Sequence, residues 1–207
     1  TARKMLPAVW RSDLSLGKKV HTTLHLLASG IFLFVFLIGV FSVPLIFGFH
    51  ALGIDADIFT LFLIGWIGII AVYYVGNIEA DLKKQGSYLK RVLKFVLLFP
   101  LFLALSMGLS LHNSVAVLQG YFGKKSPFVR TPKFNIQKIT DSFSHKKYNI
   151  GKLGWTTLLE GVMAIYFLGG FVAGLLLENY NFLIFHILLS FGYGTIFYYT
   201  LRHLSLK

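Results

Sequence analysis

The sequence predicts an all-α membrane protein: four transmembrane helices, interface or re-entrant helices beside them, and a cytoplasmic basic loop. Three observations predict it. First, 56% of the 207 residues are hydrophobic and 14% are charged, against about 25% charged in a soluble domain. Second, four apolar runs, about 26–49, 58–78, 155–177 and 182–201, are long enough to cross roughly 30 Å of hydrocarbon at about 1.5 Å per residue. Third, all 20 Lys and Arg lie outside those runs, in four segments. This balance excludes an ordinary soluble globule and a disordered chain. The absence of cysteine excludes disulfides, Cys-ligated zinc, iron–sulfur clusters and thiol catalysis.

Residues 1–23 read as a cytoplasmic interface helix. Met5, Leu6, Val9 and Trp10 can share one helical face, with Arg3, Lys4 and Arg11 around it. Ser12 or Asp13 can cap a second short helix that runs through Leu16 and Val20 into the first span. More than twenty residues precede that span, and no small-residue cleavage site follows it, so it is not a signal peptide. The chain begins at Thr1 rather than Met and reads as a processed product or a fragment of a longer protein.

Charge orients the rest. Basic residues crowd 1–23, 79–94, 123–152 and the C-terminus, whereas the connections 50–57 and 178–181 carry only Asp55, Asp57 and Glu178. The positive-inside rule puts both termini and both long basic segments in the cytoplasm of a multi-pass inner or cell membrane protein. The formal charge of +12 is therefore a topology signal and an attraction to the lipid bilayer, and predicts no nucleic-acid partner.

That placement constrains residues 24–122, which hold the first two spans and then the apolar stretch 92–118. A single crossing there would put one basic segment outside. The stretch is thus expected to enter the membrane or lie along it, with helices over about 89–121 broken at Pro100. Leu89–Phe99 would lie at the interface, with Lys90, Arg91 and Lys94 toward headgroups. A fifth ordinary span is the alternative. Residues 153–207 supply the last two spans, in which Gly170 and Gly174 make a small-x-x-x-small face suited to close helix packing.

Chemistry-bearing residues are few. There is no catalytic motif to assign, and no metal site is expected in this chain. Asp55 and Asp57 sit in a short outside loop and read as solvated; His21 and His25 have a metal pair's spacing but no third ligand. His112 and Asn113 are polar groups on an apolar helix, and either bond a neighbouring helix or line a cavity. Glu160, one turn inside the third full span, either snorkels to the cytoplasmic side or pairs with a basic residue of the loop.

The most informative stretch is the loop Gly123-Lys-Lys-Ser-Pro-Phe-Val-Arg-Thr-Pro-Lys-Phe-Asn135. Pro127 and Pro132 stiffen it, Lys124, Lys125, Arg130 and Lys133 converge charge, and Thr131 adds a hydroxyl. Such a segment suits a diphosphate or an anionic headgroup, or serves topology and lipid contact alone.

Ser110-Leu-His-Asn-Ser-Val-Ala-Val-Leu-Gln-Gly120 followed by Ser126-Pro-Phe-Val-Arg-Thr-Pro-Lys-Phe134 resembles the C-terminal membrane region of bacterial processive family 2 glycosyltransferases, the cellulose-synthase-like group. That family has a gating loop of the form F-x-V-T-x-K, matched here by Phe128, Thr131 and Lys133, with Arg130 at the Val position. The opening from Arg3 to Leu26 is similar to the stretch after the family's Q-x-x-R-W segment. The resemblance spans nearly the whole chain and implies the channel portion of an enzyme that moves sugar from a nucleotide-sugar to a growing polysaccharide or lipid acceptor. It implies nucleotide contacts at Phe128, Arg130, Thr131 and Lys133. The catalytic domain, its Q-x-x-R-W segment and its Mg or Mn site lie outside these 207 residues, so the chain is not expected to be active alone. A stand-alone, non-catalytic membrane subunit or transporter is the competing expectation, and a lipid-binding scaffold the third.

Overall fold

The computed structural model describes residues 2–54, 62–79, 87–124 and 153–205. Within them the chain is helical and contains no strand: α1 (Ala2–Arg11), α2 (Leu16–Leu27), α3 (Ile31–Leu52), α4 (Phe62–Tyr74), α5 (Tyr88–Gly108), α6 (Ser110–Tyr121), α7 (Trp155–Leu176) and α8 (Leu183–Ser205). Four helical stretches are long and apolar enough to cross a membrane: Leu16–Leu52, Tyr88–Gly108, Trp155–Leu176 and Tyr180–Leu204. Three of them contain or match the expected spans at 26–49, 155–177 and 182–201. The expected span at 58–78 corresponds to the shorter apolar stretch Ile64–Glu79, and its residues 58–61 lie outside the described ones. Large apolar side chains such as Phe34, Ile38, Phe41 and Ile165 point outward, uncovered. Water would penalise such a surface; hydrocarbon does not.

The N-terminal helix folds back on the next. Trp10 Nε1 donates to Thr23 Oγ1 at 3.1 Å, and Lys19 Nζ donates to the Trp10 carbonyl at 3.1 Å. A short 3₁₀ turn, Ala28–Gly30, then joins α2 to α3. At the far end of α3, Gly53 adopts φ +61°, and Ile54 N–H reaches back to the Phe49 carbonyl at 3.0 Å. That pairing closes the helix on a left-handed residue, which glycine adopts without a Cβ penalty. α7 ends the same way on Glu178, at φ 55°, with Asn179 N–H on the Gly174 carbonyl at 2.9 Å.

Three helices define the bundle's polarity. Tyr166 OH donates to the Val40 carbonyl at 2.7 Å, and three to four residues further along both helices Gly170 lies against Val43. α3 and α7 therefore run in the same direction. α8 returns antiparallel to α7, since Gly161 faces Phe197, Ser190 Oγ bonds the Ala164 carbonyl at 2.8 Å, and Gly174 faces Leu183. The starts of α3 and α7 and the finish of α8 thus share one end, called proximal below. The core between them is Val43, Met107, Leu111, Phe167, Leu189 and Tyr193.

The expected break at Pro100 does not occur. Helix α5 runs through it, and the interruption comes at Leu109. Proline removes one ladder hydrogen bond, a loss that neighbouring packing can offset inside a membrane. Here Phe99 and Phe102, on either side of Pro100, hold the Tyr73 ring with centroids 5.5 and 5.1 Å away. Further on, Gly108 meets Gly192 of α8 backbone to backbone. The continuous helix makes both contacts. The close approach expected of Gly170 and Gly174 is present: a Cβ on Gly170 would lie 2.6 Å from Val43, and one on Gly174 2.9 Å from Leu183.

Candidate functional site

A seam of polar side chains runs through the interior where α6 meets α7 and α8. It begins at the Leu109 interruption. Ser110, fully buried, pairs with Tyr193 OH at 2.8 Å. Tyr193 is the eleventh of the 23 residues of α8, so α6 starts near half-depth in the bundle. Two residues on, His112 Nδ1 lies 3.9 Å from Glu160 Oε1. Glu160 is the sixth residue of α7, closer to the proximal end. Gly120 and Tyr121 then line a cleft with Ala2 and Leu26, ahead of the start of α3. Helix α6 therefore descends from the interior to the proximal end.

Glu160 does not snorkel. The loop cations from Lys125 to Lys152, its other expected partners, lie outside the described residues. The exposure of Glu160 is 2%, and its ionisable neighbour is His112. The reason is the descent of α6, which covers the face of α7 that would otherwise open to the surface. The His112 side chain remains 64% exposed, so the pair spans from interior to surface.

Asn113 points elsewhere. One residue is about 100° of helix turn, so His112 and Asn113 serve different neighbours. Asn113 lines a cleft of about 380 Å³ with Arg3, Ser29 and Phe32. His112 thus lies near Glu160 of α7, and Asn113 lines the cleft. At the cleft's rim Arg3 packs directly on Gly123, which adopts φ +76°. The N-terminal helix and the exit from α6 thus occupy one corner.

A second polar contact ties α3 to α8. Ser42 Oγ donates to the Gly39 carbonyl at 2.7 Å and lies 2.7 Å from His186 Nε2. A hydroxyl has one hydrogen. Ser42 Oγ can donate to only one of these two, so the tautomer of His186 sets the direction of the bond between them. Its Nδ1 is buried without a partner and faces Gly170. Sequence reasoning missed Ser42, Ser110, His186 and Tyr193. Their signal was the one that flagged His112: polar groups inside apolar runs.

The loop residues Phe128, Arg130, Thr131 and Lys133, like Asp55 and Asp57, lie outside the described residues. His21 and His25 are both exposed on α2. No group of three His, Asp or Glu able to share an ion occurs among the described residues.

No family model, curated protein or solved structure matches the chain.

Proposed function

We propose that this chain is the membrane-embedded, channel-side portion of a family 2 glycosyltransferase, with both termini and the loop 123–152 on the cytoplasmic side of the cell membrane. Sugar transfer from a nucleotide-sugar to a glycan or lipid acceptor would be carried by a catalytic domain outside these residues. The observation that carries the reading is the corner where Arg3 meets Gly123. Helix α6 ends just before Gly123, beside the N-terminal helix, and the chain enters the loop that holds Phe128, Arg130, Thr131 and Lys133 from that corner. In the resemblance, the N-terminal helix lies next to the catalytic domain. A loop tethered there can reach a diphosphate held by that domain, with Lys133 and Arg130 offering charge and Thr131 a hydroxyl. The divalent metal would belong to the catalytic domain, where it stabilises the leaving diphosphate.

The α6 descent also supports a re-entrant α5–α6 pair. With α5 starting on the proximal side, a chain that turns near half-depth and returns would keep Ser87 and Lys124 on one face, as the charge of the segments around them requires.

Lys133→Ala and Thr131→Ala in the complete enzyme test the reading. Weaker inhibition by the nucleoside diphosphate product and slower turnover are expected. Unchanged product affinity and unchanged turnover would sink it.

The competing reading, a stand-alone transport subunit, is favoured by one observation: a buried carboxylate, Glu160, beside an exposed histidine. Coding DNA upstream of Thr1 separates the two. A continuous frame ending in Q-x-x-R-W supports the enzyme, and a nearby start codon supports the subunit.

A further inference from the structure

A second cleft, of about 680 Å³, opens between the end of α4 and the first half of α5, away from the polar seam. Lys90, Arg91 and Lys94 line one part of it, and Phe95, Phe99 and Phe102 the other. These six residues follow one another along a single helix. The cations occupy the first two turns of α5, and the aromatic wall continues inward for about two further turns.

Arg91 is anchored on one side. Its Nη1 donates to the Ile78 carbonyl at 2.8 Å, and its guanidinium carbon lies 5.7 Å from the Tyr88 ring centre. Its buried Nε has no acceptor. Lys90 and Lys94 are exposed and have no acidic partner among the described residues. A guanidinium held in place, short of an acceptor and flanked by two ammonium groups without an acidic partner among the described residues, suits a phosphate oxygen.

We propose that this cleft binds one anionic phospholipid, its phosphate against Arg91, Lys90 and Lys94 and an acyl chain along Phe95, Phe99 and Phe102. The order of the residues selects a lipid over a soluble phosphate. Charge at the helix start and apolar surface deeper in reproduce the polarity of a phospholipid along the same axis. A soluble anion would use the cations and leave the aromatic wall without a function. The two sides of the cleft belong to different helices, and the Tyr73 ring on Phe99 and Phe102 bridges them. The bound lipid would therefore also join α4 to α5.

The test is native mass spectrometry of the purified full chain, offered phosphatidylglycerol or phosphatidylcholine in detergent. The wild type is expected to retain phosphatidylglycerol preferentially. The double variant Lys90→Gln/Lys94→Gln, which leaves the Arg91 to Ile78 bond intact, is expected to lose roughly thirtyfold in affinity, given about 1 kcal/mol for each basic residue at an anionic lipid surface. Lys4→Gln/Arg11→Gln, equal in charge change but on α1, should retain the lipid as the wild type does. Equal retention of both lipids, or an unchanged double variant, overturns the site. Displacement of phosphatidylglycerol by inorganic phosphate overturns the lipid assignment in favour of a soluble anion.

Discussion

Gly108 and Gly192 meet backbone to backbone where α5 packs on α8, and a Cβ on either would run into the main chain of the other helix. This contact locates the Leu109 interruption, because Ser110 then falls beside Tyr193. Close approach of small residues is a principal source of helix association where lipid supplies no hydrophobic drive.

Gly192→Ala is expected to lower stability by about 1–3 kcal/mol through overpacking, despite alanine's better helix propensity. Gly169→Ala makes the same chemical change with nothing within 4 Å of the new methyl, and should be neutral or slightly stabilising. Thermal unfolding in one detergent compares them. Equal effects would mean that the crossing is looser than described.

The Ser42 to His186 contact predicts non-additivity. Ser42→Ala leaves His186 Nε2 without its partner, and His186→Ala removes the ring and its packing on Phe167 and Phe182. A double-mutant cycle should give a coupling of about 0.6–1.7 kcal/mol, the range for interhelical hydrogen bonds in membranes. Simple additivity of the two losses would remove the bond from the account.

Glu160 separates stability from function. Its only described ionic neighbour is 3.9 Å away, too long for a hydrogen bond. Neutralising a buried, loosely paired carboxylate while keeping its shape costs little or stabilises. Glu160→Gln should therefore hold or raise the melting temperature, while lowering polymer synthesis in the complete enzyme or transport by a stand-alone subunit. A variant that melts earlier and works normally would reduce Glu160 to a packing residue.

Topology can be read directly, because the chain has no cysteine. Ser87→Cys, Lys124→Cys and Lys4→Cys should react with an impermeant maleimide from the cytoplasmic face alone, and Glu178→Cys from the opposite face. Ser87 and Lys124 labelling from different faces would make α5–α6 a full crossing and overturn the re-entrant proposal.

The apolar runs made the membrane class legible, and the carboxylate of Glu160 inside one of them marked the polar seam. Pairings were not legible. Ser42 and His186 are 144 positions apart, and a serine in an apolar helix can satisfy itself on its own backbone, as Ser42 also does with Gly39. Nothing local revealed that a second helix was needed. Pro100 misled for the opposite reason. Its local cost is real, but Tyr73 and Gly192, both distant in sequence, favour the straight helix more strongly. The partner of Glu160 was sought among loop cations because charge suggested it. Those cations from Lys125 to Lys152 lie outside the described residues, within which the geometry of α6 supplies a histidine.

The tight Glu178 turn has a consequence for the order of assembly. Helices α7 and α8 are joined by a few residues, so closing their interface costs little chain entropy, and the hairpin can form as soon as both helices are in the bilayer. Gly108 has no such neighbour. It leaves the ribosome 84 residues before Gly192, the difference of their numbers, and until α8 arrives its bare backbone faces lipid. The last contact to form would then be the one that fixes where α6 begins, so the polar seam is assembled only once the bundle is nearly complete.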